Sequence, residues 1–223
     1  MNSEKKSIFT TNSLNTYLPF EEKINVITHA FGLMLSILAL ILLIIKASVY
    51  GNVWHIVSFS IFGVCLITLY TASTLYHNAK KVLTRNRLNV FDHASIYVLI
   101  AGTYTPFTLI TLHGTLGWVI FGIVWSMAIA GVILKFYFIG KYEILSTVMY
   151  VIMGWIIVLV LKPLIHNLSI EGIIWLFSGG IFYTIGSVFF SIKKIKLNHA
   201  IFHIFVLLGS FCHFISIYFY IIK

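Results

Sequence analysis

The chain has 223 residues, of which 60% are hydrophobic and only 9% charged, and its mean hydropathy is +1.00, so it cannot present a water-facing surface on every side. A soluble domain is excluded, and a single polytopic membrane domain accounts for the whole length. The formal charge of +9, from fifteen Lys and Arg against six Asp and Glu, does not point to a nucleic-acid partner, because the basic residues fall in short loops where membrane topology and anionic lipid headgroups explain them.

Residues 1–23 are polar and include Glu4, Lys5, Lys6, Glu21 and Glu22. They lack the apolar core and small-residue cleavage site of a secretory signal, so they read as a cytoplasmic tail and the first hydrophobic segment as a retained anchor. Residues 24–222 then form one seven-helix transmembrane domain. Its seven segments, each long enough to cross about 30 Å of hydrocarbon, are Ile24 to Ile45, Val53 to Tyr76, Leu88 to Leu112, Leu116 to Phe138, Ile144 to Ile165, Ile170 to Ile192 and Asn198 to Ile222. The fold class is therefore all-α, a polytopic bundle in which short loops make sequential helices antiparallel neighbours.

Orientation follows from the basic residues. Lys5, Lys6 and Lys23, then Lys80, Lys81, Arg85 and Arg87, then Lys135 and Lys141, then Lys193, Lys194 and Lys196 fall on one side; only Lys46, Lys162 and Lys223 fall on the other. This bias predicts a cytoplasmic N-terminus and, with seven crossings, an outside C-terminus. Pro19 and the acidic Glu21 and Glu22 suit the start of the first helix, Pro163 lies near the end of the fifth, and Pro106 is expected to kink the third. Gly179, Gly180 and Gly186 are expected to let helices approach closely. Trp54, Trp118 and Trp175 fall near the outer helix ends, as an aromatic belt would. Cys65 and Cys212 stand alone in apolar runs and imply no disulfide or thiolate site.

The polar residues carry the functional signal. Glu22, Asn25 and His29 open helix one, Ser73 and His77 close helix two, Asp92 and His93 lie about one turn into helix three, and His199 and His203 open helix seven. All of these positions fall at the cytoplasmic ends. His199 and His203 are spaced i, i+4 and so project from one helical face about 6 Å apart, a spacing that can hold one metal ion. Asp92 is the one carboxylate placed inside the apolar core, where it costs several kcal/mol unless met by a cation, donors or water. No Lys or Arg is expected at that depth. A divalent metal on His77, His199 and His203 would supply the charge, and three imidazoles plus water make a zinc site with an open position. Asp92 would act through that water, as a fourth ligand or as general base, and Ser73, on the face of His77, would hydrogen-bond the water or polarise a substrate carbonyl. Glu22, Asn25 and His29 share a face and read as hydrogen-bond partners that orient the ligands. His93 competes with Asp92, since neighbours on a helix point about 100° apart. His55, His113 and His166 read as solvated loop residues, and His213 as a packed histidine too deep to share the metal.

The ordered set Glu22-x-x-Asn25-x-x-x-His29, Ser73-x-x-x-His77, Phe91-Asp92-His93-Ala94-Ser95-Ile96-Tyr97 and His199-x-x-x-His203 resembles the hemolysin III family, the bacterial branch of the progestin and adipoQ receptor superfamily, a group that also looks related to the alkaline ceramidases. The resemblance covers nearly the whole chain. It implies a seven-helix bundle in a bacterial plasma membrane with zinc near the cytoplasmic face, His77, His199 and His203 as ligands, and Asp92 acting through water. The expected function is a zinc-dependent hydrolase of amide or ester bonds in membrane lipids, a ceramidase-like amidase whose partner is a lipid substrate. The alternatives are a sensor or receptor of membrane state with structural zinc, and a pore-forming cytolysin. A pore requires a polar stripe through the full membrane depth, which the one-sided polar cluster argues against.

Overall fold

In a lipid interior every backbone N–H and C=O must be satisfied within the protein, which restricts a spanning chain of this apolarity to helices or a closed barrel. The computed structural model describes residues 17–137 and 143–222, and among these it is all helical. The helices are α1 (Pro19–Tyr50), α2 (Val53–Asn78), α3 (Val82–Pro106), α4 (Gly114–Tyr137), α5 (Glu143–Trp155), α6 (Leu161–Asn167), α7 (Ile170–Ser191) and α8 (Asn198–Tyr220). With α5 and α6 forming one crossing, they make seven spans long and apolar enough for a membrane. This is a multi-pass membrane protein. The chain's outward faces carry large apolar side chains along their length, from Ile27, Leu38 and Val49 to Leu159, which is 81% exposed, as lipid contact requires.

Two helices begin earlier than hydropathy alone suggests. α1 starts at Pro19, whose missing N–H is no loss in a first turn, with Glu21 and Glu22 at the positive end of the helix dipole. The last five residues of the segment read as a tail are therefore helical, and residues 1–16 lie outside the described part of the chain. α3 starts at Val82 rather than Leu88, which takes Arg85 and Arg87 out of the loop and into the helix. Asp92 consequently lies about three turns into α3, roughly 15 Å along its axis, rather than one. At the far end of the bundle, Asn52 and His55 form a reciprocal capping box at the start of α2, so His55 caps a helix rather than sitting in a solvated loop.

Pro106 acts as expected in kind: α3 stops there and continues as a π-helical turn, Phe107–Leu112. The hydroxyls of Thr103, Thr105 and Thr108 donate to the carbonyls of Leu99, Ala101 and Tyr104, at 2.9, 2.9 and 3.0 Å, which supplies carbonyls near the break with donors. The fifth span breaks just before its own proline, Pro163, whose ring cannot pack on the Leu159 carbonyl in a continuous α-helix. Between α5 and α6 the chain runs as a 3-10 turn, Ile156–Val160, and the Tyr104 hydroxyl accepts the Ile157 N–H at 2.8 Å while donating to the Gly154 carbonyl at 2.8 Å. This break places Pro163 in the first turn of α6, where its lost N–H does no harm.

The helices close into a bundle because α1 packs on both α2 and α8, α8 on α7, and α3 on α2 and α4. Close approach of α7 and α8 uses two of the three expected glycines. A Cβ on Gly179 would lie 2.3 Å from the His213 ring, and one on Gly186 would lie 2.8 Å from the Phe205 Cβ; Gly180 meets Trp155 only at ordinary contact, 3.7 Å. His213 is buried and its Nε2 lies 3.1 Å from the Leu176 carbonyl, which is the packed role expected for it. At the far end Trp54 and Trp118 meet edge to face at 5.9 Å.

Tyr104→Phe should lower the unfolding free energy in detergent by about 1–3 kcal/mol, because it strands the buried Ile157 N–H. Unchanged denaturant or thermal unfolding would show that the break in the fifth span is held by something else.

Candidate metal centre

Three helix ends meet at the N-terminal end of the bundle. α2 finishes with Ser73 and His77 on one face, α8 begins with His199 and His203 on one face, and the first turns of α1 pass between them. The link from α7 to α8 is short and turns at Leu197, which takes a left-handed conformation with φ of 59°, and the Asn198 amide donates to the Phe190 carbonyl at 2.9 Å. That tight return sets where His199 emerges.

The three histidines expected as ligands come together. His77, His199 and His203 are 4%, 3% and 1% exposed, and one ring nitrogen or the other from each lies within 4.8 Å of the rest. The Nε2 atoms of His77 and His199 are 3.0 Å apart. Two nitrogens bound to one zinc at 2.0–2.1 Å and a tetrahedral angle lie about 3.4 Å apart, so the spacing fits a shared ion.

The hydrogen bonds on the other side of each ring say which nitrogen is free. His77 Nδ1 lies 2.7 Å from Glu22 Oε2, and a carboxylate only accepts, so Nδ1 carries the proton and Nε2 the lone pair. His203 Nδ1 lies 3.3 Å from Thr28 Oγ1, whose own proton goes to the carbonyls of Ile24 and Asn25 at 2.9 and 3.1 Å. His203 therefore donates from Nδ1 as well. His199 Nδ1 faces the Tyr17 hydroxyl at 3.0 Å, a group that can donate or accept. The site thus gathers imidazoles whose outer nitrogens are bonded to neighbouring side chains and whose inner nitrogens converge, an arrangement that suits a divalent ion.

Glu22, Asn25 and His29 do share one face, but they act differently. Glu22 binds His77 and also Arg85, whose guanidinium stacks on the Tyr76 ring at 4.6 Å. Asn25 is fully buried and its Nδ2 stands 3.5 Å from His77 Nδ1, too long to displace Glu22. His29 stacks on His203 with ring centroids 3.4 Å apart and planes 12° apart, and meets the Tyr70 ring edge-on at 5.1 Å. It braces a ligand by packing rather than by a hydrogen bond.

A cavity of about 130 Å³ adjoins the histidines. Ser73, Asp92, His199 and His203 line one end, and Leu99, Phe107, Ile157 and Leu176 line the apolar depth. Asp92 is buried but lies outside the histidine cluster, with its Oδ2 3.8 Å from His93 Nδ1. His93 also lines the cavity, so adjacency on the helix does not exclude either residue, and its Nδ1 is bonded to the Asn89 carbonyl at 2.9 Å. Ser73 is buried against the cavity, and its Oγ has no partner among the described residues.

The expectation that no Lys or Arg shares this depth is corrected by two residues. Arg85 sits on Glu22, and Lys135, in the last turn of α4, is buried and lines the same cavity as Asp92. Arg85 is a residue that a hydropathy reading leaves in a loop, Lys135 falls in the last turn of the expected fourth segment, and both reach inward along the bundle. The case for a metal therefore rests on the converging histidine nitrogens rather than on an otherwise uncompensated Asp92. Sequence reasoning also passed over Tyr17 and Thr28, whose uncharged hydroxyls carry no signal apart from the spacing of Thr28, three residues after Asn25.

Comparison with known proteins gives the family. A family model described as haemolysin-III related matches residues 18–214, from the start of α1 into α8. The chain belongs to the haemolysin-III related family. It is 49% identical over 203 residues to the hemolysin-3 homolog of Bacillus subtilis (strain 168), covering 91% of this chain and 95% of that one, and 46% identical over 202 residues to hemolysin-3 of Bacillus cereus, covering 91% and 92%. It is also 30% identical over 210 residues, 92% of this chain and 86% of the other, to the human monocyte to macrophage differentiation factor. As a haemolysin-III related chain, it carries the three-histidine cluster on the helix ends of α2 and α8, both within the matched span.

A double-mutant cycle between Glu22→Gln and Arg85→Met should return a coupling of about 1 kcal/mol in unfolding free energy, near the lower end for hydrogen bonds to charged groups because both side chains are partly exposed. Additivity within about 0.3–0.5 kcal/mol would show that the pair is incidental.

Proposed function

We propose that this chain is a zinc-dependent hydrolase that cleaves an amide or ester bond in a membrane lipid. The observation that carries the reading is the shared wall: His199 and His203, which cluster with His77, and the buried carboxylate of Asp92 border one cavity whose far side is apolar. Neutral imidazoles suit a borderline ion such as zinc. Zinc, when bound, supplies a Lewis acid and lowers the pKa of a bound water toward neutrality.

Within that reading the chain's own residues divide the work. Leu99, Phe107, Ile157 and Leu176 hold an acyl chain and keep water from the scissile bond. Asp92 accepts the proton of the attacking water and returns it to the leaving nitrogen or oxygen, so that hydroxyl adds to the carbonyl carbon as the bond to the leaving group breaks. Ser73 donates its otherwise unpartnered hydroxyl to the carbonyl oxygen. The distribution of Lys and Arg supports a cytoplasmic N-terminus and so places this chemistry at the cytoplasmic face. A pore is the weaker reading for this chain, because the cavity's depth is lined by apolar and aromatic side chains rather than a polar stripe.

Zinc-replete protein in lipid vesicles should release fatty acid from an N-acyl or O-acyl lipid, lose the activity to a chelator and regain it with zinc. Asp92→Asn should lower kcat by roughly 10²–10⁴-fold, the usual contribution of a general base, while retaining its metal. Absence of fatty-acid release from every lipid amide and ester tested would end the hydrolase reading.

A further inference from the structure

The residues that hold the outer nitrogens of the three histidines come from one short stretch of chain. Tyr17 lies on His199, Glu22 on His77 and Thr28 on His203, at 3.0, 2.7 and 3.3 Å, although the histidines themselves belong to α2 and α8. Each contact is to Nδ1. The start of α1 and the two residues before it thus wrap the histidine cluster from one side, with Tyr17 also packed against the His199 ring at a centroid distance of 4.6 Å.

We propose that Tyr17 and Thr28 are positioning residues which, with Glu22, fix all three imidazoles with the proton on Nδ1 and the Nε2 lone pair directed at the metal. The inference rests on the reading of His77, His199 and His203 as ligands. Thr28 is suited to this because its own proton is committed to the backbone carbonyls of Ile24 and Asn25, which leaves its oxygen only as an acceptor toward His203. The Tyr17 hydroxyl oxygen, 3.0 Å from His199 Nδ1, can accept that nitrogen's proton in the same way.

The test measures zinc affinity by competition with a chromophoric chelator on the full-length detergent-solubilised chain, together with the melting temperature of the metal-free protein. Tyr17→Phe and Thr28→Val should each weaken zinc binding about 10–100-fold, the usual effect of losing a group that orients a ligand. The metal-free variants should stay folded, with melting temperatures lowered only by the loss of one buried hydrogen bond each, and Thr28→Ser, which keeps the oxygen, should bind like wild type. Wild-type affinity in both Tyr17→Phe and Thr28→Val would overturn the proposal while leaving the ligand assignment intact. Loss of the metal-free fold in both Tyr17→Phe and Thr28→Val, or failure of Thr28→Ser to restore binding, would also overturn it by making the role structural. Failure of the wild-type chain to bind zinc would instead remove the ligand assignment on which the proposal stands.

Discussion

Two imidazole nitrogens held 3.0 Å apart in a buried site, each ring's outer nitrogen already bonded, need either a proton or a cation between them. In a medium of low dielectric, opposed lone pairs at that distance repel, and only a shared proton or a cation turns the contact attractive. The rest of the bundle's N-terminal end is arranged around this constraint. α2 must end at its last turn with His77 inward, α8 must begin with two histidines on one face, and α1 must start early enough to bring Glu22 against the first of them.

The same constraint accounts for the gathering of buried ionisable side chains, His213 apart, at one end, while Phe59, Phe62, Leu66 and Tyr97 pack elsewhere in the core. A buried charge or an unsatisfied donor is tolerable only where partners are dense. Arg85 with Glu22 and Tyr76 extends the cluster outward to where water and headgroups take over, and the cavity runs the other way into apolar surroundings. A lipid substrate would meet both environments at once, with its bond to be cleaved at the boundary.

How far this could be read beforehand depended on the kind of signal. Seven spans follow from hydropathy because the backbone in lipid has no alternative to helix. The three histidines were legible because i, i+4 spacing and equal depth are both visible in one dimension. The interruption of the fifth span was only hinted at by Pro163 beyond it, since the Ile157 N–H it frees is satisfied by Tyr104 from another helix. The inward reach of Arg85 and Lys135 was missed because the positive-inside count treats basic residues as markers of the membrane surface, whereas both lie on helices and reach into the bundle. Tyr17 and Thr28 escaped notice for the opposite reason: a hydroxyl beside an apolar segment is common, and only the fold shows which ring it touches.

The central claim is that His77, His199 and His203 together bind a single divalent metal. Mass spectrometry of metal content in detergent-purified, zinc-supplied protein tests it directly, with His77→Ala and the His199→Ala/His203→Ala pair alongside. About one zinc per chain in the wild type, lost in both variants while their helical content is kept, is the predicted result; a well-folded wild type that holds no divalent metal would contradict the account.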